Sequence, residues 1–198
     1  MAISLVRTTE PATQQPTDEA LARRLREGDV RAGEVLARRY AQPLVRYLHR
    51  LVRSDQLAEE LHQQTWLSVL EHLDRFDVGG GPGGFKAWLF RIATNKANDL
   101  WRSKGREKNA KDGLKRVTEE TVPSASEKPQ TAEQVDKLRW AIDQLPEPQR
   151  QVLLLRYYSE MKFVEIADML GCPLNTALGR MHKAMTRLKE LLEAPRLS

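Results

Sequence analysis

The sequence lacks the features of secreted, disulfide-bonded and membrane-spanning proteins. It contains a single cysteine, Cys172, which excludes an internal disulfide framework and suits a reducing compartment. No apolar run approaches the roughly 20 residues that a membrane span requires, and residues 1–17 show no secretory signal pattern. We therefore expect a cytoplasmic protein with no membrane insertion.

Candidate metal and catalytic groups are also few. Glu59 and His62 have the E-x-x-H spacing of di-metal sites in helical bundles, but no second copy of that motif is present. The glycine-rich stretch 75–84 has no strand before it and no G-K-[S/T] ending, so it does not fit a phosphate-binding loop. We expect no catalytic residue, no metal and no cofactor.

Positive charge is in modest excess. The net charge of +5 and the pI near 9.4 favour a polyanionic partner. Between Asn175 and Lys189 every charged residue is basic, so part of this charge is concentrated near the C-terminus.

The C-terminal third has the pattern of a helix-turn-helix. Apolar residues at helical spacing predict a first helix over 163–170, Gly171 is suited to end it, and Pro173 is suited to the first turn of another. In the second helix a basic face adjoins the apolar one, as in a helix that enters the major groove. A helical hairpin with a solvated basic surface is the alternative.

The N-terminal half predicts four further helices after a disordered leader over residues 1–16. Thr17 and Ser54 are suited to cap the first and third helices, and Pro43 predicts a kink or a restart in the second. The glycine-rich loop over 75–84 separates the third helix from the fourth, which we place at 85–104.

The predicted fourth helix combines basic, amide and aromatic side chains, the composition of single-strand-binding surfaces. For Trp88, which is in register with Ile92, packing in the core is the favoured interpretation. Residues 105–133 lack an apolar period and predict a flexible linker. The fold class is therefore all-α, with two separately folded helical domains at 17–104 and 134–198.

Three segments together resemble the extracytoplasmic-function (ECF) sigma factors of the sigma-70 family. Residues 145–192 resemble the sigma-4 helix-turn-helix domain, and residues 58–76 and 85–102 resemble the two signature helices of the sigma-2 domain. The order of the segments and the intervening linker match as well. The resemblance implies a transcription initiation factor that confers promoter recognition on RNA polymerase.

The resemblance also implies the DNA-binding residues. The loop over 75–84 and the helix after it would capture an unpaired base of the −10 element and hold the melted strand, with Lys86, Arg91, Asn95 and Arg102 facing DNA. The second helix of the helix-turn-helix would read the −35 element as duplex, through Asn175, Thr176, Arg180, Lys183 and Arg187.

The implied partners are core RNA polymerase, promoter DNA and an anti-sigma factor. Docking on the clamp helices of the β′ subunit would use Glu60, Leu61, Gln63 and Thr65, and the β flap is a second implied contact. In the linker, Glu119, Glu120 and Glu127 would mimic nucleic-acid charge near the active-site channel.

The sequence departs from the family pattern at two places. Gln64 stands where an acidic residue is frequent, and Ala177, Leu178, Gly179 and Arg180 replace a frequent Val-Lys-Ser-Arg. We hypothesise that Gly179 permits closer approach to the DNA backbone, or that −35 contact is weaker.

A free-standing helix-turn-helix regulator is the alternative function, because many regulators share the C-terminal motif. The aromatic and basic composition of residues 85–102 favours the sigma factor, since a regulator would usually carry a ligand or phosphoacceptor domain instead.

Overall fold

The computed structural model describes residues 15–79, 82–111 and 130–193, and within these ranges the chain is helical, with no strand. Residues 1–14 of the predicted leader and the central part of the predicted linker, with Glu119, Glu120 and Glu127, lie outside the described residues. The helices are α1 (Asp18–Arg26), α2 (Val30–Val52), α3 (Asp55–Glu71), α4 (Gly84–Lys111), α5 (Gln130–Asp143), α6 (Glu147–Leu154), α7 (Phe163–Met169) and α8 (Leu174–Glu193).

Helices α1 to α4 pack around α2, which contacts each of the other three. One face of α2 is apolar at helical spacing and is fully buried, for example at Leu36, Leu44 and Leu48. Phe85 and Phe90 of α4 are buried against Tyr40, with ring centroids 5.9 and 6.5 Å away. The aromatic side chains of α4 therefore fix its position against α2.

Side-chain caps define the helix starts as the sequence predicts. The Thr17 hydroxyl accepts a hydrogen bond from the Ala20 amide at 3.2 Å, and the Ser54 hydroxyl accepts one from the Leu57 amide at 3.4 Å. Asp29 caps α2 and forms an ion pair with Arg24 at 2.6 Å. The arginine lowers the pKa of the Asp29 carboxyl, which keeps the cap charged.

The structure departs from the predicted helix boundaries at Pro43 and at both ends of the predicted linker. Helix α2 continues through Pro43 as one element, so the predicted restart is absent. Helix α4 continues to Lys111 and α5 begins at Gln130, so both extend into the segment predicted to be a linker. Lysine, arginine, glutamate and alanine in residues 105–111 are good helix formers even without an apolar stripe.

Helices α7 and α8 form the predicted helix-turn-helix. Gly171 adopts a left-handed conformation with φ of 61°, and the Cys172 amide donates to the Ala167 carbonyl at 2.9 Å. These contacts end α7, and α8 starts at Leu174, directly after Pro173. A π turn at Leu155–Ser159 connects α6 with the segment before α7.

The two sets of helices share the larger of two apolar clusters, which the sequence did not predict. The smaller cluster, formed by Ala141, Leu145, Ala184 and Leu188, lies within the C-terminal set. Leu155, Met161 and Ile166 from the C-terminal set are fully buried in the same cluster as the core residues of α1 to α4. Polar contacts surround this core, including a hydrogen bond of 2.7 Å from the Gln151 side-chain Nε2 to the Asn98 side-chain oxygen. The described residues therefore form a closed arrangement, in which α6 and α7 lie against α2 and α4.

Candidate nucleic-acid and polymerase interfaces

The predicted single-strand residues do not all share a face of α4. Arg91, Asn95 and Arg102 lie on one side, whereas Lys86 lies at the start of the helix, two and a half turns before Asn95 and hence on the other side. Asn95 and Arg102 are exposed. The structure thus brings together three of the four residues, which we call the strand face.

Arg91 has a partner within the protein. Its guanidinium forms an ion pair with the Asp168 carboxylate of α7 at 2.9 Å, and both side chains are about half exposed. The Arg91 Nε atom is buried and has no hydrogen-bond partner among the described residues. The first cation of the strand face is therefore paired with a carboxylate of the helix-turn-helix.

The aromatic residues at the start of α4 serve packing. Trp88 lies 5.1 Å from Phe76 and 5.8 Å from Phe85 between ring centroids, which confirms the interpretation of Trp88 as a core residue. Phe90 is fully buried. The Phe90 ring is therefore inaccessible to a DNA base in this arrangement, whereas the Trp88 ring is half-buried against the core.

Glu19 of α1 fixes the start of α4, a role that the sequence pattern did not show. Its carboxylate accepts a hydrogen bond from the Phe85 amide at 3.3 Å. Gly84 has φ of 55°, and a β-carbon there would overlap the Glu19 carboxylate. The contact joins residues 66 positions apart, so no local motif could reveal it.

The predicted duplex residues lie mainly on one side of α8. Thr176, Arg180, Lys183 and Arg187 recur at intervals of three and four residues, while Asn175 lies on a neighbouring side. We call these five residues the duplex face. Lys183 and Arg187 are exposed and, with Gln149 and others, line a shallow groove of about 500 Å³.

Gly179 leaves open space on the surface of α8. A β-carbon at this position would have no neighbour within 4 Å among the described residues. The absence of a side chain is therefore not required by packing inside the protein. Leu178 beside it is 40% exposed.

The predicted polymerase residues divide between the surface and the core. Glu60 and Gln63 are exposed, but Leu61 and Thr65 are buried, and the Thr65 hydroxyl donates to the Leu61 carbonyl at 2.6 Å. Because both face the other helices, Leu61 and Thr65 hold α3 in place and are not available as contacts here.

Two leucines that the sequence prediction missed occupy the exposed side of α3. Leu67 is 57% exposed and Leu70 is 60% exposed, on the same side as Glu60 and Gln63. We call these four residues the α3 face. Beside it, α3 and α4 enclose a groove of about 320 Å³. The sequence signal for this face was the spacing of Leu67 and Leu70, which puts two leucines three residues apart on the same side of the helix as Glu60 and Gln63.

Glu59 and His62 of the E-x-x-H pair have no further metal-ligating side chains grouped with them among the described residues. In the parts of the chain that the structure describes, no three His, Cys, Asp or Glu side chains lie close enough to hold a metal ion. The His62 Nε2 atom instead accepts a hydrogen bond from the Trp66 indole at 3.2 Å. Burial lowers the pKa of His62, and Glu59 partly offsets this effect.

Family models and curated relatives match the chain in both halves. The model of sigma-70 region 2 matches residues 36–107, and that of sigma-70 region 4 matches residues 136–188. The RNA polymerase sigma-H factor of Pseudomonas aeruginosa is 27% identical over 90% of this chain and 95% of its own length. The ECF RNA polymerase sigma-E factor of Escherichia coli is 28% identical over 87% of this chain and 92% of its own.

Solved structures show the same fold. CnrH, in complex with the cytosolic domain of CnrY, has a TM-score of 0.67 and 24% identity, covering 89% of this chain and 97% of its own. The sigma factor RpoE, in complex with the anti-sigma factor NepR from Bartonella quintana, has a TM-score of 0.64 and 25% identity, covering 82% and 99%. Among the described residues no helix is both long and apolar enough to cross a membrane.

A relative of higher identity places the chain within this group. The ECF RNA polymerase sigma factor EcfG of Rhodopseudomonas palustris is 32% identical over 68% of this chain and 71% of its own length. Since that relative and both sigma-70 regions match in the same chain, the protein belongs to the extracytoplasmic-function sigma factors of the sigma-70 family.

Proposed function

We propose that this chain is a transcription initiation factor that binds core RNA polymerase, directs it to promoters and aids strand opening. The observation that carries the proposal is the presence of sigma-70 regions 2 and 4 in order in one chain. The protein acts in the cytoplasm by binding and not as an enzyme. No cofactor is required, because recognition needs only side chains and backbone.

The strand face of α4 contacts the melted −10 element in this proposal. Arg91 and Arg102 neutralise backbone phosphates, and the exposed Asn95 amide hydrogen-bonds a base edge. Lys86 is separated from them along the helix and serves the loop side of the site. The arrangement supports binding of a strand that crosses α4.

The duplex face of α8 reads the −35 element. Lys183 and Arg187 are exposed and basic, as contacts to the phosphates of a major groove require. Asn175 and Thr176 belong to the first turn of the helix, where side chains reach base edges. Arg180 lies between the two groups and serves both purposes.

Polymerase docking is assigned to the α3 face, with the β′ clamp helices as its partner, and the sigma-4 domain contacts the β flap. The exposed leucines supply apolar area, and Glu60 and Gln63 supply polar contacts around it. Domain limits of 17–104 and 134–198, joined by residues 105–133, are part of the proposal.

An anti-sigma factor is the proposed regulator. The RpoE structure that this chain resembles contains an anti-sigma factor, and the similarity covers both halves of this chain. An anti-sigma partner would bind the closed arrangement and keep the α3 face from polymerase.

The test is run-off transcription with purified core polymerase on a library of promoter-sized genomic fragments. We expect transcripts from a subset of fragments only when the chain is added, and sequencing their 5′ ends identifies the promoters. The Arg91→Ala variant should lower their yield, whereas Arg38→Ala, an exposed arginine of α2, should not.

A free-standing regulator predicts a different result. The chain would then bind duplex fragments, but no transcript would depend on it. That outcome would reject the sigma-factor function and favour the alternative.

A further inference from the structure

Helix α7 covers part of the strand face in the closed arrangement. The Arg91 guanidinium contacts the Asp168 carboxylate at 2.9 Å and lies 3.5 Å from the Asp168 carbonyl oxygen. Glu165, one turn earlier in α7, lies beside Gly83, with its β-carbon 3.4 Å from the position of an added β-carbon. The Glu165 carboxylate accepts a hydrogen bond from the Lys162 backbone amide at 2.7 Å, so of these two side chains it is Asp168 that pairs with a cation of the strand face.

An aspartate carboxylate and a DNA phosphate bind the same kind of side chain. Both are anions with oxygen acceptors, and both form charge-assisted hydrogen bonds with a guanidinium. A strand that contacted Arg91 would have to displace Asp168 or share the same group with it. The carboxylate therefore competes with the DNA backbone for one cation.

The duplex face is not covered in the same way. Arg187 pairs with Glu190 at 2.9 Å and Arg180 lies 3.9 Å from the Cys172 sulfur, so both contacts stay within the helix-turn-helix. Lys183 and Asn175 are exposed. Within the part of the chain that the structure describes, the duplex face is thus open while the strand face is partly covered.

We infer that Asp168 sets the affinity of this chain for opened DNA, by occupying Arg91 until a phosphate replaces it. The inference rests on the proposed function, because it requires that Arg91 contact the melted strand. The apolar core provides most of the contact that holds the closed arrangement together. The Asp168 carboxylate competes with DNA phosphates for Arg91, and the strength of its ion pair depends on salt concentration.

The first experiment compares single-strand binding by variants of the full chain. The probe is a fluorescein-labelled non-template −10 strand from the strongest promoter that run-off transcription identifies, and anisotropy gives its Kd. Asp168→Asn should tighten binding about two- to fivefold, the range expected for a half-exposed ion pair. Duplex −35 DNA should bind equally to both proteins.

The control is Glu34→Gln, which removes one negative charge from the exposed side of α2. If Glu34→Gln tightened single-strand binding as much as Asp168→Asn, the gain in affinity would come from net charge and the inference would be overturned. Equal affinities of the wild type and Asp168→Asn, or no single-strand binding by either, would overturn the inference.

The second experiment fixes the closed arrangement covalently. Arg53, at the end of α2, and Asp143, at the end of α5, form an ion pair at 3.8 Å and belong to neither DNA face. Changing both to cysteine in a Cys172→Ser background allows a short bismaleimide to join them. In the joined chain, Asp168→Asn should still tighten single-strand binding about two- to fivefold and leave duplex binding unchanged; equal single-strand affinities of the joined chains with and without Asp168→Asn would contradict the inference.

The two proposals fail in different ways. If the chain supports no promoter-specific transcription with core polymerase, the proposed function fails. If it does, and Arg91→Ala weakens transcription while Asp168→Asn leaves single-strand affinity unchanged, only the role of Asp168 fails.

Discussion

Gly179 is the residue of the duplex helix that packing does not explain. A β-carbon there would contact no described residue, so Gly179→Ala should raise the free energy of unfolding by about 1 kcal/mol, because alanine favours helix over glycine. Urea denaturation measures this change. Footprinting the −35 element with holoenzyme then tests its role: weaker protection would support close approach of the helix to DNA.

Gly171 supplies the matched control for that substitution. Its φ of 61° is unfavourable for alanine, so the same change should lower the free energy of unfolding by about 1 kcal/mol. Two glycines of one helix-turn-helix should thus respond with opposite signs. A destabilising Gly179→Ala would contradict the open environment described for it.

His62 should make stability depend on pH. Its pKa in the folded chain is lowered from the ordinary value of 6.5, so the unfolded chain binds the proton more readily. The stability that the neutral His62 side chain contributes is fully present above its unfolded-state pKa of 6.5 and declines as the pH falls from 6.5 towards the lower pKa of the folded chain. Urea denaturation at several pH values should show a shallower decline of stability for His62→Gln than for the wild type, and equal declines would contradict this account.

The sequence predicted residues whose role is local. Thr17, Ser54 and Gly171 act on amides or carbonyls within a few positions, so residue type and spacing were sufficient. The roles of Glu19 and Asp168 depend on α4, which is distant in the chain, and no periodicity encodes such contacts.

Among the elements, α2 contains an interior proline without ending there. Pro43 cannot donate a hydrogen bond within the helix, and its ring crowds the preceding turn. Pro43→Ala should therefore raise the free energy of unfolding by about 1 to 3 kcal/mol. Pro148→Ala is the control, since Pro148 lies in the first turn of α6, where no such hydrogen bond is lost. Equal effects of the two changes would contradict this account.

The α3 face should bind polymerase through Leu67 and Leu70. Replacing both with alanine should weaken binding to core polymerase by about tenfold, because apolar anchors at the centre of an interface carry much of its affinity. Stability should change little, since both side chains are exposed. Biolayer interferometry with immobilised core enzyme measures the affinity.

Two variants control for that experiment. Val35→Ala removes an exposed apolar side chain from α2 and should leave polymerase binding unchanged. Leu61→Ala should instead lower stability, because Leu61 is only 4% exposed. Unimpaired binding by the double leucine variant would exclude the α3 face as the docking surface.

Element types were predictable, but some element ends were not. Periodic apolar residues determined the helices of both domains and the turn of the helix-turn-helix. The second helix passes through Pro43 because its apolar face is buried on both sides of that residue, at Tyr40 and Leu44. Burial of this kind outweighs a local helix-breaking preference and is visible only after folding.

For the whole molecule, positive charge should make duplex binding sensitive to salt. The logarithm of the binding constant for −35 duplex should fall linearly with the logarithm of salt concentration. Lys183→Gln should reduce the magnitude of the slope by about 0.9, the change expected for one lost phosphate contact. Lys189→Gln, on another side of α8, should not alter it. Equal slopes for Lys183→Gln and the wild type would remove Lys183 from the duplex face.

The contact between the two helical sets could not be predicted from the sequence. Val152, Leu155 and Ile166 are at helical spacing within their own segments, which is consistent with a core inside the C-terminal domain alone. Periodicity indicates that a side is buried, but it does not identify the surface that buries it. Only the folded chain shows that α2 and α4 supply that surface.

The shared core has a thermodynamic consequence for promoter engagement. Any state in which the strand face and duplex face separate to reach distant DNA elements must wet the apolar surface around Met161 and Ile166, or cover it with polymerase. Calorimetry of the resting chain should then show a single melting event, since the larger apolar cluster takes residues from both helical sets. The heat capacity of polymerase association would report how much of that surface is wetted.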